Sequence, residues 1–555
     1  MASDLQSDDR QTASADSPDT GGSARTGPRI LGALAGLIAA AVAVGAAELV
    51  AGALGITSII VSVGEQVIAL APAAVASAAI ELIGGLNRPA LITGTLVFLA
   101  LISLGIGLLT LRRFTYGAIG VAGLGVVGMA ASAANPVDSL PLALLPGLAA
   151  AAAGVAALWA LNPQRHATHA TANDPDHDPA TADPDPDPET ATDPDQPPRA
   201  TDRRAFLVLA GALTVSAAAM AAGGRWLQDR AGAAAERIGL TLPSPARPAD
   251  PLPQGVDLGV DGLVPFVTPN EDFYRIDTAV QIPEILAEDW QLRIHGMVAN
   301  ELTLDYQQLQ ERYEVEEHDI TLTCVSNVVG GDLVGNARWL GVRLVDVLED
   351  AGVDPDATQL VGRSVDGYTG GFPVADAMDG RDALIVIGMN GEPLPAVHGY
   401  PVRLVVPGLY GYVSAVKWLA ELELTTFEAF DQYWVERQWA EEAPIKVQSR
   451  IDVPRPLIEV AAGEVVLAGV AWAQGRGIDL VEVQIDGGEW QPADLGEVPN
   501  VDTWRQWTLT TQLEPGNVQI RVRATDGDGT RQDEERVDPI PDGAEGWHSL
   551  QVRVG

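Results

Sequence analysis

The chain has 555 residues and a formal net charge of −40, with 74 acidic against 34 basic residues. Only Lys417 and Lys446 are lysines, so there is no lysine-rich patch for nucleic acid, and nucleic-acid partners are excluded. An acidic, lysine-poor composition suits a protein kept soluble in high salt, where screening removes self-repulsion, and this predicts a halophilic setting. The alternative is one acidic tail on an ordinary protein, but the excess continues through the C-terminal half.

Residues 1–28 are polar and lack apolar periodicity, as expected of a disordered cytoplasmic tail. Residues 29–161 hold four apolar stretches, Ile30–Leu54, Pro89–Leu111, Phe114–Ser132 and Leu140–Leu161. Each is long enough to cross a bilayer, which predicts an α-helical four-span membrane bundle. Val67–Gly84 is also apolar but carries Pro72 and Glu81, and reads as an outer-surface or re-entrant helix, with a sixth span as the alternative. Glu48 falls inside the first stretch, either as an intramembrane functional carboxylate or as a residue near the outer interface. Arginines precede the first stretch, separate the second from the third and follow the fourth, which places the N-terminus inside. No histidine lies in a span, so the bundle cannot hold a bis-histidine haem.

Residues 162–202 form an acidic, Pro-rich cytoplasmic linker with the run Asp183-Pro184-Asp185-Pro186. Residues 203–225 follow, opening with Arg203-Arg204-Ala205-Phe206-Leu207 before an apolar run. The pattern resembles a twin-arginine export signal and implies the twin-arginine machinery as a partner; a simple positive-inside anchor would not require Phe-Leu at that offset. A fifth span leading out places everything after Arg225 outside. Residues 226–262 read as a Pro-rich tether.

Beyond the tether the character changes. Leu344-Val345, Val347-Leu348 and Ala351 make a helical face, Ala383–Ile387 and Pro401–Val406 are strand runs, and Asn390-Gly391 marks a tight turn. Residues 263–441 therefore form a mixed α+β domain. From about Pro444 to residue 555 short strands alternate with Gly-rich turns, among them Glu464–Trp472, Leu480–Ile485 and Val518–Ala524, predicting a β-sandwich.

Cys324 is the only cysteine. His318 to Thr323 alternates as a strand, so the thiol sits at a strand end, where chemistry is commonly mounted. Taken alone it reads as a small buried hydrophobe.

Its surroundings change that reading. Thr268-Pro269-Asn270-Glu271-Asp272-Phe273-Tyr274, then Cys324-Val325-Ser326-Asn327 with Ala337-Arg338-Trp339-Leu340-Gly341-Val342, then Arg363-Ser364-Val365-Asp366-Gly367-Tyr368, then His398-Gly399-Tyr400-Pro401-Val402-Arg403 through Val416-Lys417-Trp418, occur in order. Together they resemble the molybdopterin-binding domain of the sulfite oxidase family, and the sandwich resembles that family's immunoglobulin-like dimerisation domain. The resemblance implies a molybdenum cofactor (Mo-molybdopterin), with Cys324 as the thiolate ligand of the metal; a soft thiolate suits such a centre. It implies that Asn270, Phe273 and Tyr274 line the pterin. Ser364 would contact the cofactor, and His398 and Arg403 would grip the pterin and its phosphate. Ser414, Ala415, Val416 and Lys417 would close the phosphate pocket, and Tyr368 would stand beside the oxo ligand.

There are departures from the family pattern. The arginines that hold sulfite in true sulfite oxidases are replaced by Val328-Val329 and by Ile276, with Arg275 displaced and Arg338 a candidate substitute. The resulting expectation is a multi-pass membrane oxidoreductase with an extracytoplasmic catalytic domain. It would act on an oxyanion or a sulfoxide, exchange electrons with a separate carrier (a cytochrome or a quinone-linked protein), and have a second copy of the chain as a candidate partner. The rivals are an exported thiol enzyme with Cys324 as nucleophile, and a membrane-tethered binding module in which Cys324 is structural.

Overall fold

The computed structural model describes residues 26–70, 87–135, 140–162, 200–231, 233–456 and 458–555. Two compact units result, one ending at Trp226 and one beginning at Leu227. The expected N-terminal tail and nearly all of the acidic linker lie outside the described residues, as do residues 71–84 of the expected re-entrant helix.

The first unit is helical: α1 (Thr26–Leu54), α2 (Ile59–Leu70), α3 (Asn87–Thr110), α4 (Phe114–Ala133), α5 (Leu140–Ala160) and most of α6 (Ala200–Ala231). Among the described residues, five helices are long and apolar enough to cross a membrane; α2 is shorter and starts at Ile59, well before the expected Val67. The helices meet through small residues. Gly32 and Gly36 of α1 face Gly107 of α3, and Gly52 of α1 faces Gly224 of α6, with no room for a Cβ. Such contacts let backbones approach closely where lipid supplies no hydrophobic drive. Glu48 is buried near the end of α1 and accepts a 2.6 Å hydrogen bond from the Ser58 hydroxyl.

The second unit starts with a short helix, α7 (Ala233–Gly239). Residues 240–290 then run along the domain without regular structure. Within the stretch expected as a Pro-rich tether, the chain is held against the domain. Ala246 N–H donates to the Val315 carbonyl, Val256 joins the main core, and Leu258 N–H donates to Gln506 Oε1.

Two sheets and their helices make the α+β part. One sheet has the order β2 (Leu302–Asp305), β1 (Gln291–Gly296), β10 (Leu419–Thr425), β5 (Gln359–Ser364), β6 (Thr369–Pro373), with β1 parallel to β10 and the other pairs antiparallel. The other runs β3 (Val315–Thr323), β4 (Val334–Arg343), β7 (Leu384–Met389), β8 (Glu392–Pro393), with β9 (Arg403–Val405) also pairing β7. All six residues of β7 are buried, which is why its sequence is apolar throughout rather than alternating.

Local signals fix the helices. Helix α8 (Tyr306–Arg312) opens with a capping box between Asp305 and Gln308. Helix α9 (Leu344–Ala351) buries Leu344, Val347, Leu348 and Ala351 and stops at Gly352, whose φ of 68° suits glycine. Each of the three larger side chains contributes about 1.5–3 kcal/mol by leaving water.

The C-terminal part is a two-sheet sandwich. One sheet is β11 (Gln448–Val453), β13 (Gly463–Trp472), β17 (Arg505–Leu513), β16 (Asp494–Leu495). The other is β12 (Glu459–Val460), β19 (His548–Val554), β18 (Gly516–Asp526), β14 (Ile478–Ile485), β15 (Trp490–Pro492). Both sheets feed one core, including Leu467, Trp507, Val481 and Ile520. Val470, Trp472 and Trp504 instead join the core of the α+β part, so the two parts share packing.

Candidate functional site

The β3–β4 connection carries the cysteine. Cys324 follows the last residue of β3, and its N–H bonds across the loop to the Leu333 carbonyl. Asn327 Oδ1 accepts from Leu333 N–H, closing the loop from inside. The sandwich braces it: Arg450 donates to the Gly331 carbonyl at 2.9 Å, and the His548 ring lies against Gly330, whose φ of 78° and crowding leave room for glycine only.

Cys324 opens onto a cleft. Of the residues singled out from sequence, Phe273, Tyr274, Cys324, Ser364, Tyr368, His398, Arg403 and Lys417 all line it. They come from five separate segments, which the two sheets bring together. Burial pushes the Cys324 thiol upward, against the opposing pull of the Ser326 hydroxyl and the Lys417 cation. Its partner is Ser326 Oγ at 2.9 Å, and no histidine is bonded to it among the described residues. A protonated thiol without a base is a poor nucleophile, which weighs against the thiol-enzyme reading.

One end of the cleft is cationic. His398 is buried, donates from Nε2 to the Asn270 carbonyl at 2.8 Å, and is pushed down to about 4 by burial. Arg403 donates to the His398 carbonyl at 3.0 Å and to the Ala415 carbonyl at 3.4 Å, and its guanidinium lies 5.1 Å from the Trp339 ring. Its Nε is buried without an acceptor, and it has no carboxylate partner among the described residues. Burial lowers it to about 10. Lys417 is lowered to about 8, again by burial, and donates to Asp277 at 2.9 Å and to the Val397 carbonyl at 3.0 Å. Phe273 stacks on Tyr274 at 5.2 Å and meets His398 edge-on at 5.5 Å, forming a flat aromatic wall.

Toward Tyr368 the lining is largely apolar and holds one carboxylate, Asp366, whose Oδ1 accepts from Tyr368 N–H at 3.2 Å. Tyr368 donates its hydroxyl to the Tyr412 carbonyl at 2.5 Å, and Ile276, Tyr412 and Trp434 complete the lining. Sequence reasoning missed Trp434 and Tyr412; the tryptophan-rich run Tyr433-Trp434-Val435-Glu436-Arg437-Gln438-Trp439 was the available signal.

Three expectations shift. Asn270 does not line the cleft: its side chain bonds Glu392 at 2.6 Å and Asn390 at 2.8 Å, and only its carbonyl reaches the wall through His398. Ser414 turns its hydroxyl to the Leu409 and Tyr410 carbonyls just before the short helix Gly411–Ser414, so its side chain is spent inside the fold; the contribution expected of it was its backbone amide. Arg338 cannot replace the missing substrate arginines, because Asp319 holds it at 2.7 Å and 3.0 Å away from the cleft.

A family model described as the oxidoreductase molybdopterin binding domain matches residues 279–434. Human mitochondrial sulfite oxidase is 31% identical over 350 residues, covering 52% of this chain and 62% of its own. Chicken sulfite oxidase is 30% identical over 310 residues, covering 47% of this chain and 67% of its own. The chain belongs to the sulfite oxidase family. Its match takes in somewhat under two thirds of the human protein's length. Among solved structures, the sulfane dehydrogenase SoxCD of Paracoccus pantotrophus aligns over 53% of this chain and 82% of its own, at 23% identity and a TM-score of 0.47.

Family membership implies a molybdenum cofactor, and the cleft fits one. The unsatisfied Arg403 Nε needs an acceptor, the cationic end suits an anionic phosphate, and Cys324 offers a soft ligand.

Proposed function

We propose that this protein is a membrane-anchored molybdopterin oxidoreductase whose catalytic half faces away from the cytoplasm. The observation that carries the reading is the convergence of one thiol, one unpaired buried guanidinium and an aromatic wall on a single cleft. Cys324 is the metal ligand. His398, Arg403 and Lys417 hold the cofactor's anionic end, and Phe273 and Tyr274 hold its flat face. When bound, the cofactor supplies two-electron oxygen-atom transfer, and the protein supplies position and electrostatics. Tyr368 spends its proton on the Tyr412 carbonyl, so its oxygen is left as an acceptor beside the metal position.

The charge of the reactive end favours an uncharged substrate over sulfite. Ile276, Tyr412 and Trp434 line it, Arg275 is held by Asp277 at 2.9 Å, and Arg338 is held by Asp319. A dianion brought there would lose water beside the Asp366 carboxylate, and the cation that acts on Cys324, Lys417, is already paired with Asp277 at 2.9 Å. A sulfoxide, with one polar oxygen and apolar arms, matches that lining. The test is the loaded full-length enzyme assayed with a reduced dye and sulfoxides, and with an oxidised dye and sulfite. Sulfoxide turnover should exceed sulfite turnover at least roughly tenfold, a difference of about 1.4 kcal/mol in the barrier. Sulfite oxidation at the higher rate would refute the substrate assignment.

The remaining parts of the reading come from the sequence pattern. Arginine placement supports an inside N-terminus, and Arg203-Arg204-Ala205-Phe206-Leu207 supports export of a folded, loaded domain by the twin-arginine route. Histidine-free spans support a separate electron carrier. The two-sheet sandwich is compatible with an immunoglobulin-like dimerisation role, and the charge of −40 with a halophilic setting.

A further inference from the structure

Helix α7 supplies no residue to the cleft lining, yet its two charged side chains bond residues that lead to it. Glu236 Oε2 accepts from the Tyr400 hydroxyl at 2.7 Å and from Ala287 N–H at 2.8 Å. Tyr400 is buried and lies two residues after His398. Arg237 donates to the Pro393 carbonyl at 3.1 Å and to Glu392 Oε2 at 3.4 Å. The other oxygen of Glu392 accepts from Asn270 Nδ2 at 2.6 Å, and the Asn270 carbonyl accepts from His398 Nε2. His398 is thus approached from two sides, through Tyr400 along the chain and through Glu392 and Asn270 across it. Between them Gly399 has a φ of 109°, and the turn is closed by His398 N–H on the Pro395 carbonyl and Gly399 N–H on the Ala396 carbonyl.

We propose that α7 is a clamp that positions the Asn270–His398 wall, so that retention of the cofactor depends on Glu236 and Arg237. The proposal rests on the cleft being the cofactor's seat. Glu236 and Arg237 are positioning residues, since they act through Tyr400 and Asn270. The seat is preorganised when both anchors are in place, and a wall that is free to move loses part of the binding energy to its own ordering.

The test compares full-length Glu236→Ala and Glu236→Gln with the unaltered protein. The glutamine keeps an oxygen that can accept from both Tyr400 and Ala287. Three quantities are read: molybdenum per chain, the rate of fluorescent pterin release on warming, and hydrogen exchange at residues 396–403. Glu236→Ala should release the cofactor about tenfold faster, equivalent to about 1.4 kcal/mol. Exchange at 396–403 should rise, with the melting temperature of the cofactor-free protein unchanged, and Glu236→Gln should restore both release and exchange. Unchanged release and exchange in the alanine variant would overturn the clamp. A fall in the cofactor-free melting temperature that accounts for the faster release would overturn it too, by showing a general structural role. If the unaltered protein bound no pterin, the cofactor reading would fail first, and exchange at 396–403 in the cofactor-free chain would still decide whether the clamp exists.

Discussion

Arg403 is the residue where the account is most exposed to measurement, and Arg403→Met is the perturbation that separates binding from folding. The guanidinium is buried, has no carboxylate partner among the described residues and keeps one donor unsatisfied. Holding an unpaired charge away from water costs several kcal/mol even after relaxation. Two hydrogen bonds from a charged donor to the His398 and Ala415 carbonyls return about 1.5–3 kcal/mol each, the 3.4 Å bond at the lower end. The two sides nearly cancel, so the methionine variant should change the stability of the cofactor-free protein by less than about 2 kcal/mol, a few degrees in melting temperature. The loaded protein should behave differently. A charge-assisted bond to phosphate is among the strong ones, and its loss should weaken cofactor binding about 100-fold, close to 3 kcal/mol. The ligand's contribution to thermal stability should shrink accordingly. Calorimetry on loaded and cofactor-free samples, with molybdenum content, reads both. A cofactor-free variant that melts far lower would show Arg403 to be a structural residue, and normal metal content in the variant would remove it from the cofactor's seat.

Two further predictions probe other parts of the chain. Burial beside Asp382 raises Asp502 to about 6 from an ordinary 3.8. The folded chain therefore keeps a proton that the unfolded chain has shed, so the stabilisation is full below about pH 4 and lost as pH rises through 6. The roughly two-unit shift corresponds to about 3 kcal/mol. Asp502→Asn keeps an acceptor for the Gly475 N–H and should raise the melting temperature at pH 7.5 while leaving it unchanged at pH 4; an equal effect at both pH values would refute the titration argument. Replacing Arg203 and Arg204 by lysine preserves charge but not the twin-arginine pattern. The variant should keep its membrane helices and retain the catalytic half inside, protected from protease added to spheroplasts, whereas equal digestion of both proteins would reduce the pair to a topology anchor.

What was legible in the sequence was local or carried by a motif. The helix at Leu344–Ala351 announced itself by spacing, and β3 by alternation up to Thr323. Cys324, His398, Arg403 and Lys417 could be gathered because each sits inside a motif with fixed neighbours. What was not legible depends on packing between distant segments. The Pro-rich stretch after Trp226 has no periodicity that betrays its docking, and Glu236 finds Tyr400 164 residues away. Arg338 looked available because Asp319 is its neighbour only across the β3–β4 pairing. Ser414 looked like a pocket residue because the helix Gly411–Ser414 is too short to be read, and its hydroxyl turns back to carbonyls that precede it. Trp434 escaped notice because an aromatic run carries no sign of which ring faces a cleft.

The central claim is that Cys324 ligates molybdenum, and X-ray absorption at the molybdenum edge tests it most directly. The loaded protein should show sulfur neighbours to the metal, and Cys324→Ser, purified with cofactor still bound, should show one sulfur fewer with the fold intact by circular dichroism. An identical sulfur shell in the two proteins would contradict the claim.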